Sequence, residues 1–408
     1  MQANREASLA GLRVLLVAQY GQMGGTRTYT KQLVDFYLRQ KVDLLVIRQG
    51  PIGDIEMDEY LGTRDVTVVD WELISTLSPR SRISAFSRSR LRRDVRDESV
   101  ALRALAGERE IDIVVASVGD PGSLLGAMSA LSRGIYILHT YPHGIRSRVL
   151  SHLLLPDALP VSSEVVTVSD YARDRIVKMW RLGNRSRDVH VLHTSVGPLT
   201  EAPSPVREST VVLTMGHLEA YKDPLGWVDI ATSVLKRQGC EGSQFVWAGD
   251  GSLLTECRKL VRRRGLQDRV HFVGMQRDVD ALYGDCALYL QPSRVESLGL
   301  GVLDAARRGI PAVVSDVGGL PETVDSGHSG LVYPVGKQGA AVEAVAALLM
   351  NADRRAAMGL LARDHYRAGF SPQTWEAGLI DLHMASIDGT RTRAPKTLDS
   401  EHGLPGFE

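Results

Sequence analysis

"PSRVESLGLGVLDAARRGIPAVVSDVGGLPE", residues 292–322, sets Glu296 and Asp304 eight positions apart around a glycine-rich turn. The apolar runs on either side, "CALYLQPS" (286–293) and "PAVVSDVGG" (311–319), have the length of strands, and "LGLGVLDAARRG" (298–309) opens a helix between them. In open α/β sheets ligands bind beyond the carboxyl ends of the strands, which is where this turn falls. Two readings stand. One is an ordinary strand-helix-strand unit with two acids in unrelated turns. The other is a pocket that grips a sugar with one acid and a nucleotide with the other. On the second reading the first turn, Leu298 to Leu300, aims unpaired N–H groups at an anion. Gly299 and Gly301 then keep that approach clear of side chains. Glycine inside a helix costs roughly 1 kcal/mol relative to alanine, so two of them there call for a reason.

The rhythm around this stretch extends through the chain. "LRVLLVA" (12–18), "VDLLVIR" (42–48), "IDIVVASVGDPG" (111–122), "GIYILHTYPHG" (134–144), "SEVVTVSDYARDRIVKMW" (163–180) and "VHVLHTSVG" (189–197) carry buried strands alternating with helices such as "TRTYTKQLVDFYLRQ" (26–40). "GPLTEAPSPVREST" (197–210) has three prolines and no periodicity, as a linker does. Beyond it "VVLTMGHL", "QFVWAGDG", "RVHFVGM", "CALYLQPS", "PAVVSDVGG" and "SGLVYPV" restart the pattern. Continuous apolar strands alternating with helices indicate parallel sheets covered on both faces. The fold class is α/β: two tandem Rossmann-like, doubly wound domains facing across a cleft. The expected divisions are an N-terminal domain at 1–200, a linker at 201–210 and a second domain at 211–370. A helix at 371–386, packing back on the first domain, and a disordered tail at 387–408 complete the chain.

Composition narrows the class. At 408 residues the chain exceeds one domain of about 150 residues. Its 44% hydrophobic and 24% charged content is that of a globular protein. Lys plus Arg equals Asp plus Glu at 48 each, which gives no basic excess for nucleic acid. Cys240, Cys257 and Cys286 show no CxxC spacing and read as reduced thiols. No stretch approaches the roughly 18 apolar residues of a membrane span, and "MQANREASLAG" lacks the apolar core of a secretory signal. The expected location is cytoplasmic.

Further stretches can carry chemistry. In "QYGQMGGTRTY" the glycines let backbone approach a ligand at a helix N-terminus, but the order G-x-x-G-G is not the dinucleotide fingerprint. A tight turn needing glycine is the alternative. In "GHLEAYKDP" (216–224) Lys222 can neutralise phosphate oxygens and His217 can donate a hydrogen bond; a solvated loop lysine is the alternative. The D-x-D in "RDVDALY" (277–283) opens an amphipathic helix, where Asp278 reads as an N-cap rather than a metal ligand. The arginine-rich 79–97 fits an anionic membrane surface, making the protein peripheral to the inner face, an acidic acceptor, or a solvated helix and loop. "RKLVRRRGLQDR" (258–269) reads as an exposed helix end, and tryptophans 180, 227, 247 and 375 as core.

"GHLEAYKDP", "FVWAGDGSLL", "RVHFVGM", "LYGDCALYLQPSRVESLGLGVLDAARRGIPAVVSDVGGLPETV" and "SGLVYPV", in that order, resemble the nucleotide-binding half of the retaining family-4 glycosyltransferases, which have the two-domain GT-B fold. "GGTRTY", "LHTYPHG" and "VVTVSDYARD" match the other half more loosely. The resemblance implies roles. Glu296 would bond hydroxyls of the donor sugar, and Asp304 the ribose. Backbone amides around Leu298, Gly299 and Leu300, with Lys222, would hold the diphosphate. Gly249, Val273 and Gly274 would lie against nucleotide and base, and Gly24 and Gly25 would approach the donor phosphate from the first domain. His139, or its rival His143, would touch the sugar, and Arg27 the sugar or acceptor. Aspartate at 304 is one methylene shorter than the family's usual glutamate. His217 stands where the family usually has an arginine, so phosphate stabilisation falls more on Lys222.

These assignments imply a metal-independent, retaining transferase. It would need no cofactor beyond a nucleotide-diphosphate sugar donor, and its acceptor would be a glycan, glycolipid or small molecule in polysaccharide or glycoconjugate assembly. A nucleotide-sugar epimerase, a phosphorylase on the same scaffold, and a non-catalytic sugar-nucleotide-binding protein are the competing classes.

Overall fold

The computed structural model describes residues 9–19, 25–49, 55–70, 100–119, 134–141, 163–180, 182, 189–200, 209–276 and 278–388. Among these, two parallel sheets carry the architecture. The first comprises β1 (Arg13–Gln19), β2 (Asp43–Gln49), β3 (Thr67–Asp70), β4 (Ile113–Val118), β5 (Gly134–Leu138), β6 (Ser163–Thr167) and β7 (Val189–Val191). Their order across the sheet is β3-β2-β1-β4-β5-β6-β7. The second comprises β8 (Val211–Met215), β9 (Gln244–Ala248), β10 (Val270–Gly274), β11 (Cys286–Gln291), β12 (Ala312–Ser315) and β13 (Gly330–Tyr333). Its order is β10-β9-β8-β11-β12-β13. The strand order therefore reverses between β1 and β4 in one lobe and between β8 and β11 in the other. Those crevices are where such sheets bind ligands. The chain thus forms two Rossmann-like α/β domains.

The unbroken apolar runs explain the two-sided cover. Side chains alternate across a strand, so Leu15 and Val17 enter one core cluster and Val14, Leu16 and Ala18 the other. In the second lobe Val212, Leu288 and Leu290 lie on one face, and Leu213, Tyr289 and Val314 on the other. Register follows: Val14 lies opposite Leu44 on one side and Ile113 on the other. Trp180, Trp227, Trp247 and Trp375 are all core residues, and the three cysteines are buried and unpaired.

Helices cover the faces. In the first lobe these are α1 (Gly25–Arg39), α2 (Ile55–Gly62), α3 (100–108) and α4 (Asp170–Trp180). In the second they are α5 (Pro224–Val234), α6 (Leu254–Arg263), α7 (Asp280–Gly284), α8 (Leu300–Ala306), α9 (Gln338–Leu349) and α10 (Ala352–Gly369). In the first lobe α2, α3 and β3 escape the sequence reading. β3 is a four-residue strand at the sheet edge, with Thr67 and Val68 exposed, so it lacks the buried run that marks the others. α6 ends in Arg262 and Arg263, basic residues that complement a helix C-terminus. The arginine-rich 79–97 lies outside the described residues, as does most of the proline-rich linker.

The last helix, α11 (Pro372–Asp388), follows α10 in sequence but packs on the first lobe. Trp375, Leu379 and Leu382, spaced four and three apart along one helical face, join the cluster of Tyr29, Leu33 and Phe36. Trp375 Nε1 donates to Tyr29 Oη at 3.1 Å, and His383 Nε2 bonds Tyr37 Oη at 3.0 Å.

Burial pushes the His383 imidazole down to about 4. Its unfolded counterpart titrates near 6.5. Between those values the unfolded chain binds the extra proton, so stability from this group is present above about 6.5 and is lost as pH falls toward 4. Between pH 7 and pH 5 the expected loss is about 2 kcal/mol. Urea denaturation at pH 7 and pH 5 should show it, and His383→Gln should shrink the difference by about that amount.

Candidate active site

The crevice of the second lobe opens where β8 and β11 end. After β8 the chain passes Gly216, in the left-handed region at φ 142°, and the half-buried His217, then makes the short turn Ala220–Lys222. Asp223, at φ 54°, accepts the Gly226 N–H and starts α5, with Pro224 in the first helical position. After β11 the chain carries Glu296. The two loops meet as an ion pair between Lys222 Nζ and Glu296 Oε2, each side chain 15% exposed. The pair therefore spans the point of reversal of the sheet.

A polar chain supports it from below. Tyr289, Gln291 and Ser293 alternate to one side at the end of β11, a period-two run of polar groups within a buried strand. Tyr289 Oη receives the Met215 N–H at 3.1 Å and lies 3.3 Å from Gln291 Oε1. Gln291 Nε2 donates to Ser293 Oγ at 2.7 Å, and Ser293 Oγ donates to Glu296 at 3.4 Å. These supports are absent from the sequence-based list. Polar residues recurring at two-residue spacing in "YLQPS" are the signal that could have found them.

The glycines have reasons other than those first given. α8 begins at Leu300, so Leu298 and Gly299 precede the helix instead of forming its first turn. Gly299, at φ 110°, is the cap residue and lies under Leu320. A β-carbon at Gly301 would meet Tyr289 Oη at 2.0 Å. Packing, in addition to any ligand, demands these small residues. Gly249, at φ 148°, would place a β-carbon 2.0 Å from the Gly216 carbonyl oxygen, and its N–H donates to Gly274 O at 2.8 Å. Val273 beside it is exposed.

Asp304 is drawn elsewhere. Its Oδ1 accepts from Arg307 Nε at 2.5 Å and from Arg308 Nη1, and Arg308 also pairs with Asp280. The two acids of the opening stretch thus have separate cationic partners: Lys222 for Glu296, arginines for Asp304. The D-x-D aspartates are occupied structurally. Asp278 accepts the Asp280 N–H at 3.0 Å, and Asp280 meets Arg308.

The first lobe faces this crevice with the start of α1. A β-carbon at Gly25 would lie 2.7 Å from Leu300 Cδ1, so the N-termini of α1 and α8 adjoin across the lobes. His139 follows β5. Its Nε2 lies 2.9 Å from Ser117 Oγ, its ring meets Tyr29 edge-on, and burial lowers its pKa to about 4, leaving the imidazole neutral at pH 7. Arg27 turns to α2, where it pairs with Glu56 at 2.9 Å. Gly24 and His143 lie outside the described residues. Asp170, His193 and Glu322 bring one potential metal-ligating atom each within 4.8 Å of the others at the joint between the lobes.

The family model described as "Glycosyl transferases group 1" matches residues 201–365. These residues are a group 1 glycosyltransferase domain. Glu296, Lys222, Asp304 and their supports all fall inside it. The chain is 27% identical to the GDP-mannose-dependent alpha-(1-6)-phosphatidylinositol monomannoside mannosyltransferase of Mycobacterium tuberculosis over 311 residues, 69% of this chain and 78% of that protein. It is 31% identical to the alpha-D-kanosaminyltransferase of Streptomyces kanamyceticus over 36% of this chain and 38% of that one. Among solved structures, a glycosyltransferase from Rickettsia africae superposes with a TM-score of 0.71 at 13% identity, covering 92% of this chain and 99% of its own. Anabaena Alr3699/HepE with UDP and glucose gives 0.69 at 17% identity, covering 92% and 100%. The structural likenesses show that the two lobes together have the two-domain GT-B fold.

Gly301→Ala should destabilise the group 1 domain by about 1–3 kcal/mol, because Tyr289 cannot move without losing Met215 and Gln291. Adding Tyr289→Phe should recover part of that loss, as read by thermal unfolding of the single and double variants.

Proposed function

We propose that this chain is a retaining, metal-independent glycosyltransferase that moves a sugar from a nucleotide-diphosphate donor to an acceptor hydroxyl during glycoconjugate assembly. The observation that carries this is the Lys222–Glu296 pair at the reversal point of the second sheet, in the lobe whose Leu300 adjoins the start of α1. Breaking a sugar–diphosphate bond builds negative charge on the leaving phosphate and positive charge on the anomeric carbon. Fixed donors in a dry cleft stabilise the first. Lys222 supplies a full charge there, and the backbone amides near Leu298 to Leu300 supply oriented dipoles. When the diphosphate takes the ammonium, Glu296 is released to accept hydroxyls of the donor sugar. Asp304 is assigned the ribose, reached through the oxygen its arginines leave. His139, neutral at pH 7, offers a hydrogen bond to the sugar without a competing charge.

In this reading the bond from the anomeric carbon to the phosphate oxygen breaks with its electron pair passing to the phosphate. The acceptor oxygen bonds to the same face, and its proton goes to the leaving phosphate. No protein nucleophile is needed. The named activity of the mycobacterial relative supports GDP-mannose as a donor and a glycolipid as an acceptor to try first. A fold carried by so many distinct enzymes does not itself choose the sugar.

Incubation with a panel of GDP- and UDP-sugars should release nucleoside diphosphate only when an acceptor is present; binding without turnover would instead make the chain a sugar-nucleotide-binding protein. Glu296→Ala should abolish transfer and leave the fold intact, and wild-type turnover in that variant would remove Glu296 from donor contact. Lys222→Ala should weaken donor binding by about 1.5–3 kcal/mol, measured by calorimetry. Turnover should persist in EDTA; complete loss restored by manganese would contradict the metal-free account.

A further inference from the structure

Glu322 belongs to the second lobe, in the short turn Leu320–Thr323 after β12, yet its carboxylate sits at a helix start of the first. One oxygen accepts the Asp170 N–H and the other the Tyr171 N–H, both at 2.8 Å. These are the first two residues of α4, where N–H groups lack partners within the helix and the dipole favours negative charge. His193, just beyond β7, meets the same carboxylate at 3.1 Å, and His365 of α10 meets the Glu322 carbonyl at 3.1 Å. Ser169, fully buried ahead of α4, donates to the Ser297 carbonyl at 2.6 Å and accepts the Ala172 N–H at 3.1 Å.

The same joint holds the neighbours of Glu296. Val295 packs on the first lobe's cluster of Tyr141, Ala172 and Ile176. Ser297 gives the carbonyl that Ser169 binds, and Leu298 packs with Val168. The Glu296 side chain turns back to its own lobe, toward Lys222. Val295 and Ser297, on either side of Glu296, therefore touch the opposite lobe, and the residue between them carries the carboxylate assigned to the donor.

We propose that Glu322 is a positioning residue: by capping α4 across the cleft it holds the lobes together and fixes the loop that presents Glu296. Its effect on turnover rests on the role given to Glu296 above, whereas the cap itself does not. A cation among Asp170, His193 and Glu322 is the competing use of these groups. It is disfavoured because both Glu322 oxygens already receive N–H donors and Asp170 pairs with Arg173 at 2.9 Å.

The full chain carrying Glu322→Ala, and separately Glu322→Gln, tests this. Hydrogen–deuterium exchange of a peptide spanning 168–175 should quicken about tenfold or more at the start of α4 in the alanine variant. Glutamine keeps one acceptor and should fall between, and it retains the fold if alanine does not. Calorimetry with UDP and GDP should give affinities within about threefold of the parent, since the second lobe holds the nucleotide, while turnover on whichever nucleotide sugar the parent accepts should fall about tenfold to a hundredfold. Unchanged exchange in both variants would overturn the cap, and faster exchange with parental turnover would overturn the positioning role. Zinc that raises the melting temperature of the parent but not of Glu322→Gln would assign the cluster to a metal instead. Should no nucleotide sugar turn over in the parent, the functional reading fails while the exchange measurement still judges the cap.

Discussion

A β-carbon on residue 318 would lie 1.6 Å from the Glu296 carbonyl oxygen, and one on residue 319 would lie 2.3 Å from that of Ser297. Glycine at both positions lets the loops after β11 and β12 touch backbone to backbone, and Gly318 adopts the left-handed φ of 60° that such a turn requires. Ser169 of the other lobe closes onto the same spot, since a β-carbon at 319 would also lie 2.9 Å from its Cβ. The carboxylate of Glu296 is thus set by two loops and a neighbouring lobe together. Alanine at either glycine would have to push apart backbone rather than a flexible side chain, so the cleft could not keep its present shape.

Charge is arranged in closed local groups around that contact. Lys222 and Glu296 are each largely withdrawn from water, and a lone charge so placed would carry a desolvation cost that its partner offsets. Asp304, Arg307, Arg308 and Asp280 form a second group, in which Arg308 also lies over the Tyr283 ring at 4.4 Å. In the function proposed above, an incoming diphosphate would compete with Glu296 for one ammonium and need not disturb the arginine group, so one pair would reorganise while the helix below it stayed fixed.

The parts of this architecture most legible from residues alone were those dictated by two-sided burial. Runs such as "LRVLLVA" and "CALYLQPS" announce central parallel strands because no exposed face interrupts them. β3, exposed at the sheet edge, carries no such run. The meeting of Lys222 and Glu296 could be anticipated because each follows a central strand and topology brings those strand ends together. The diversion of Asp304 could not, because "DAARR" reads equally well as a solvated helix end; only the fold shows that Arg308 is buried beside Asp280. Glu322 was quoted in "VGGLPE" and given no role. Its partners are backbone N–H groups about 150 positions earlier in the chain, and backbone donors have no signature in sequence.

The placement of α11 bears on how the molecule is made. Trp375 and His383 complete a surface begun by Tyr29 and Tyr37, across 346 residues of chain in each case. During synthesis the amino-terminal sheet emerges first, yet the apolar face formed by Tyr29, Leu33 and Phe36 must wait for nearly the whole polypeptide before its cover arrives. Contacts so distant in sequence impose a large closure entropy and form late. The half that is translated first is thus the half that finishes last. Dividing the protein at residue 370 would separate not two self-sufficient globules but one globule and one with its lid missing.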